Sequence, residues 1–282
     1  MTAPLTVLIL VVTGIATFVA FRRPDLRERW IFNPYAILRN KEYERMLTSG
    51  LIHADWWHFA FNAFSFYSFG KNIEIIYGWA SLLFIYVTSI LGGSLLSLII
   101  HRHHDYRALG ASGGVCGVIF AAIFLLPGTS VMLFFIPIGI PASIYAPLFL
   151  IISFVSHRKQ IGNIGHDAHL GGAIVGLLVA TALYPRLMFA EPWLFALVMG
   201  LSVAILVALI FDPLGLWKSR VVEPDARFGG ERERRYAENR SRSEKIAEVD
   251  RLLDKVGKHG LQSLSDAERS RLEQLSKEVG PR

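Results

Sequence analysis

Cysteine is almost absent from this chain of 282 residues: Cys116 stands alone. A single thiol excludes an internal disulfide. Charge is scarce over the first 217 residues, which hold 13 of the 29 Lys+Arg and 10 of the 23 Asp+Glu. Carboxylates inside apolar runs are rarer still, and Glu74 sits near the end of one. No internal repeat is evident. Transporters are often built from repeats and buried carboxylates, so both absences weigh against an ion path. No basic leader precedes the apolar start, residues 1–20, which is therefore expected to be a retained first span and not a cleavable signal.

What is abundant is apolar. Hydrophobic residues make up 52% of the chain and the mean hydropathy is +0.41. That excludes an ordinary soluble domain and fits a polytopic membrane protein. The net charge of +6 suits anionic lipid headgroups better than nucleic acid, because the basic residues mostly flank apolar segments. A bilayer span needs about 20 residues. Seven runs qualify, near 3–21, 56–77, 79–100, 112–126, 131–155, 168–184 and 193–211. The fourth is short and Pro127-Gly128-Thr129-Ser130 separates it from the fifth, where Pro137, Pro141 and Pro147 predict a bend. Residues 22–55 mix Trp30, Phe32, Tyr35 and Tyr43 with seven basic residues, as suits an element lying in the interface.

Two strings within the apolar runs carry chemistry. Gly110-Ala111-Ser112-Gly113 opens the fourth span and Ala168-His169-Leu170-Gly171-Gly172 opens the sixth. Alternate spans run in one direction, so the starts of the second, fourth and sixth share a membrane face. Serine is a poor nucleophile without an adjacent base. A neutral His169 within hydrogen-bond reach would supply one. At a helix N-terminus Ser112 also offers its own N–H, and the positive end of the helix dipole, to an oxyanion. Gly110 permits close backbone approach. The pairs Gly113/Gly117 and Gly172/Gly176 have the spacing that lets helices meet closely. The bland alternative for Ser112 is a hydrogen-bonded filler at a helix crossing; for His169 it is an imidazole bonded to a carbonyl. His166 or Asp167 would bind water or cap the helix. The stretch also matches the G-x-S-x-G elbow, which requires a strand–turn–helix in an α/β sheet, and the flanks here do not supply one.

His58 and Asn62 lie at i, i+4 on one face of the second span. Both can donate to an oxyanion beside the Ser112 amide; the alternative is an interhelical hydrogen-bonding pair. His53 and Asp55 read as interfacial. The cluster His101, His103, His104 and Asp105 has metal-ligand residue types, but a solvated loop is the simpler reading, and no metal or organic cofactor is expected. Cys116, one turn past Ser112, reads as a small core residue.

Taken together, His58-x-x-x-Asn62, Gly110-Ala111-Ser112-Gly113 and Ala168-His169-Leu170-Gly171-Gly172 resemble the three signatures of rhomboid intramembrane serine proteases, in the family's order. The resemblance covers about residues 40–186. It implies Ser112 as nucleophile and His169 as base, without an acidic third member. It implies an oxyanion site of His58, Asn62 and the Ser112 amide, and a membrane-dipping loop over 22–55. The Trp-Arg dipeptide of some members is missing from that loop. A tail like the one here occurs on some bacterial rhomboids.

The expected architecture is an all-α polytopic transmembrane bundle: a six-span core over 1–186, an extra span within 187–217, a polar linker over 218–242 and a soluble helical hairpin over 243–282. In the hairpin Ile246, Val249, Leu252, Leu253 and Val256 recur at helical spacing, Gly257 and Gly260 suit a turn, and Ser265-Asp266-Ala267-Glu268 is a capping-box pattern. The expected function is cleavage of transmembrane or juxtamembrane segments of other proteins, in the bilayer of a bacterial inner (plasma) membrane. Nucleic acid is not expected as a partner, and the sequence names none for the tail. The rivals are an inactive relative that binds membrane proteins, and a small transporter. Orientation is contested: the resemblance turns the active face away from the cytoplasm, whereas 11 of the 13 early basic residues fall on that face, which the positive-inside rule would make cytoplasmic.

Overall fold

The computed structural model of the chain describes residues 2–102, 106–126, 128, 130–133, 136–159, 165–211, 245, 248–249, 251–258 and 260–279. They form two units, residues 2–17 with those from 31 to 211, and residues 18–30 with those from 245 to 279. Along the chain run α1 (Pro4–Arg22), α2 (Pro24–Trp30), α3 (Pro34–Arg39), α4 (Arg45–Thr48), α5 (Trp56–Tyr77), α6 (Trp79–His101), α7 (Ser112–Leu125), α8 (Ala142–Lys159), α9 (His166–Leu183), α10 (Leu187–Ala190) and α11 (Pro192–Phe211).

The first unit is an all-α bundle. α1, α6, α9 and α11 are each long and apolar enough to cross a bilayer, and α7 and Ala142–His157 are shorter apolar helices. α5 has the length, at 22 residues, but carries His58, Asn62, Lys71, Asn72 and Glu74. Large apolar side chains such as Leu8, Ile15, Phe61, Phe84, Ile151 and Val203 face outward. Water would penalise that surface and lipid does not.

The fifth apolar run departs from expectation. Its first part is not helical: Ser130–Leu133 (β1) pairs antiparallel with Ile136–Pro141 (β2), and helix begins only at Ala142. Proline lacks an N–H and clashes within a helix interior, so Pro137 and Pro141 exclude helix there. Pro147 is accommodated inside α8. Residues 127 and 129 lie outside the described residues.

α7 is the hub. Every residue from Gly113 to Leu125 is buried, the pattern of a helix apolar all round. Its 14 residues span about 21 Å, short of the ~30 Å hydrocarbon core. The loop over 106–111 leads into it. This loop is tied to the segment before α5: Phe32 and Ala108 exchange backbone hydrogen bonds of 2.8 and 3.3 Å, and the Gly110 N–H donates to Ser49 O at 2.9 Å. The segment is itself pinned, because buried Arg45 pairs with Glu42 at 2.6 Å and donates to Ile31 O at 2.9 Å.

Glu74 has a structural task. Its carboxylate accepts from Leu5 N at 2.8 Å, Thr6 N at 2.7 Å and Thr6 Oγ1 at 2.6 Å. The two N–H groups are first-turn donors of α1 that lack intrahelical partners, and a carboxylate there also complements the helix dipole.

In the second unit, residues 251–258 are helical, Gly260 turns the chain at φ +78°, and a 3₁₀ turn (Leu261–Ser263) leads into α12 (Asp266–Val279). Gly260 has the positive φ, whereas Gly257 is still helical. Ser265 and Glu268 cap α12 reciprocally, with Ser265 N donating to Glu268 Oε2 at 2.9 Å and Glu268 N to Ser265 Oγ at 3.2 Å. Lys255 pairs with Glu268 at 2.8 Å. Residue 246, the linker over 218–242 and residues 103–105 lie outside the described residues.

Candidate active site

Of the polar residues singled out above, His58, Ser112 and His169 lie in the first turns of α5, α7 and α9. Ser112 is the first residue of α7. His169, 57 residues on, sits in the first turn of α9 with Nε2 2.7 Å from Ser112 Oγ. That is a normal hydrogen-bond length for such a pair.

Glycine makes the meeting possible. A Cβ on Gly172 would overlap the backbone of Gly113, and one on Gly176 would overlap Gly117. A Cβ on Gly113 would come within 3.1 Å of Ala168 O, and one on Gly117 would strike Ser89. α7 and α9 therefore touch backbone to backbone just below the Ser112–His169 contact. Gly110 is required for a different reason. Its φ of +132° lies in the region that side chains disfavour, and a Cβ there would sit 2.7 Å from His58 Cε1. The same point is 3.0 Å from His58 Nε2 and 3.7 Å from Ser112 Oγ. The His58 ring and the Ser112 hydroxyl thus border one small space above Gly110.

Asn62 is buried and donates one Nδ2 hydrogen to His58 O at 2.9 Å, one turn back on α5. With Ala111, Val115, Phe66 and Tyr86 it lines a cavity the size of a single water. The first-turn N–H groups of α7 precede the first intrahelical pair, Val115 N to Ala111 O at 3.0 Å, and so remain available donors at the Ser112 end. Cys116 is buried in the core.

Three residues near the site were misread or left open by the sequence. Asp55 is the N-cap of α5, accepting from His58 N at 2.8 Å; Asp before a helical run is the signal for it. His53 is not interfacial. It is buried, with Nδ1 3.0 Å from Thr17 Oγ1 and its ring edge-on to His58 at 5.2 Å. Burial drives its pKa down from 6.5 to about 3, so this imidazole is neutral. Asp167 is also buried, with its carboxylate directed at His101, His157 and Tyr106 and not at His169. Among the described residues no group of three or more His, Cys, Asp or Glu is arranged to hold a metal ion. His103, His104 and Asp105 are not among them.

Residues 40–186 match the Rhomboid domain family. The chain belongs to the rhomboid family. Residues 232–278 match a second family, of unknown function (DUF6576). This rhomboid is 26% identical over 164 residues to "Rhomboid protein 1, mitochondrial" of Saccharomyces cerevisiae, covering 55% of this chain and 47% of that one. It is 30% identical over 196 residues to "RHOMBOID-like protein 12, mitochondrial" of Arabidopsis thaliana, covering 61% and 56%. It is 29% identical over 148 residues to "Rhomboid protease GluP" of Bacillus subtilis, covering 52% and 27%. The chain spans about half, or less, of the length of these relatives. Family membership and four apolar helices of spanning length make this rhomboid an integral membrane protein with an all-α polytopic fold.

Proposed function

We propose that this rhomboid is a serine endopeptidase that cleaves transmembrane or juxtamembrane segments of other membrane proteins. The observation that carries the proposal is the 2.7 Å contact between Ser112 Oγ and His169 Nε2. Ser112 Oγ attacks the scissile carbonyl carbon while His169 Nε2 takes its proton. The carbonyl oxygen becomes an oxyanion, stabilised by the Ser112 N–H, His58 and the second Nδ2 hydrogen of Asn62. His169 returns the proton to the leaving amine and the C–N bond breaks. A water, deprotonated by the same imidazole, then attacks the acyl-enzyme; the ester bond to Ser112 Oγ breaks, and His169 returns the proton to Oγ.

Substrate reaches the site laterally between helices. A helical substrate shields its own carbonyls by hydrogen bonding, so it must unwind locally, and small or helix-breaking residues near the scissile bond favour this. The proposal includes seven crossings, with α5, α7 and α8 adding to the four long apolar helices, and residence in a bacterial plasma membrane. The relatives named above come from both bacteria and mitochondria.

Labelling by a fluorophosphonate tests the nucleophile. Wild-type protein in detergent should be labelled and Ser112→Ala should not; His169→Ala should be labelled far more slowly. A folded wild type that resists labelling would instead behave as an inactive relative that binds membrane proteins. Equal labelling of Ser112→Ala would place the reactive group elsewhere.

A further inference from the structure

The two halves of the dyad are joined a second time, behind the reacting atoms. Asp167 lies two residues before His169 in the first turn of α9. Two residues turn a helix by about 200°, so the carboxylate faces away from Ser112. It is 2% exposed. Burying a carboxylate is costly unless it is partnered, and its partners come from three other elements. His101 Nε2, at the end of α6, is 3.3 Å from Oδ2, and His157 Nδ1, near the end of α8, is 3.8 Å from Oδ1. The Tyr106 hydroxyl donates to Oδ1 at 3.4 Å.

Tyr106 matters most, because it begins the loop that delivers Gly110 and Ser112. Its ring stacks on His101 at 3.7 Å and meets Phe32 edge-on at 6.2 Å. Phe32 in turn holds Ala108 through the backbone pair. Burial, and then the nearby Asp167 charge, raise the Tyr106 pKa, so the phenol remains a donor. The His169 turn and the Ser112 loop therefore share one anchor.

We propose that Asp167 is a positioning residue: through Tyr106 it clamps the first turn of α9 to the loop entering α7 and sets the alignment of His169 with Ser112. The catalytic consequence rests on the protease reading above; the geometric one does not.

Tyr106→Phe removes one oxygen and leaves the stacked ring, so it carries the test where Asp167→Asn does not fold. Each folded variant should lose on the order of tenfold in kcat, with KM near wild type, as expected for a small misalignment of reacting groups. The double variant should be no worse than the weaker single variant, because both break one clamp. In ¹⁵N-histidine-labelled full-length protein, the His169 ring resonances should move in Tyr106→Phe. Wild-type kcat, or unmoved His169 resonances, in folded Tyr106→Phe would overturn the clamp. If wild type itself proves inactive, the protease reading fails, and the resonances alone decide: movement supports the clamp and none overturns it.

Discussion

Gly172 of α9 lies against the carbonyl of Gly113 in α7 so closely that a methyl group on Gly172 would overlap it. Backbone cannot yield as a flexible side-chain tip can. Gly172→Ala should therefore destabilise the protein by about 2 kcal/mol, the usual scale of overpacking, and lower activity by parting Ser112 from His169. Gly200 of α11 has nothing within 4 Å of its would-be Cβ, so Gly200→Ala should leave both nearly unchanged. Thermal unfolding in detergent compares the two.

Gly110→Ala tests the other side of the site. The added methyl meets both an unfavourable φ and the His58 ring. The ring must move, and with it the donor proposed for the oxyanion. Loss of one such donor costs on the order of a hundredfold in kcat. Gly110→Ala, His58→Ala and the pair together should give rates far from additive, because the first substitution already displaces the second residue. Additive losses in the cleavage rate would separate Gly110 from His58.

Buried His53 gives the fold an acid sensitivity with a defined sign. Its folded pKa, about 3, lies below the ordinary 6.5. Unfolded protein then binds the extra proton first, so the contribution is complete above pH 6.5 and drains away as pH falls toward 3. His53→Phe keeps a flat ring and removes the titration. Its stability difference from wild type should shift in favour of the variant as pH drops from about 7 to about 4. A difference independent of pH, measured by thermal unfolding, would mean that His53 is not buried as a neutral ring.

Much of this site is legible before any coordinates, because its parts sit where the chain announces a helix start. Ser112, His169 and the His58/Asn62 pair stand out as polar groups in apolar runs, and parity alone sends them to one face. Glycines at four-residue spacing foretell the close α7–α9 contact. The β hairpin before α8 is illegible to hydropathy, because an apolar strand and an apolar span have the same composition; only Pro137 and Pro141 distinguish them. His53 and Asp167 are illegible for another reason. Each is surrounded in sequence by interface-like residues, and the groups that bury it come from distant segments: Thr17 of α1 for His53, and His101, Tyr106 and His157 for Asp167.

The number of crossings is open to direct measurement. Reporter fusions after Gly128 and after Trp217 should report opposite sides of the membrane, because α8, α9 and α11 lie between them. The same side would mean that Pro192–Phe211 does not cross, despite its 20 apolar-rich residues.

The dyad itself is tested most directly by cleavage. Full-length protein in detergent is mixed with a model transmembrane substrate whose helix contains a small, helix-breaking site, and product is followed for wild type, Ser112→Ala and His169→Ala. Wild type should cut, and each variant should lose at least about a thousandfold, as dyad members acting as a unit do. Cleavage by Ser112→Ala at the wild-type rate would contradict the account.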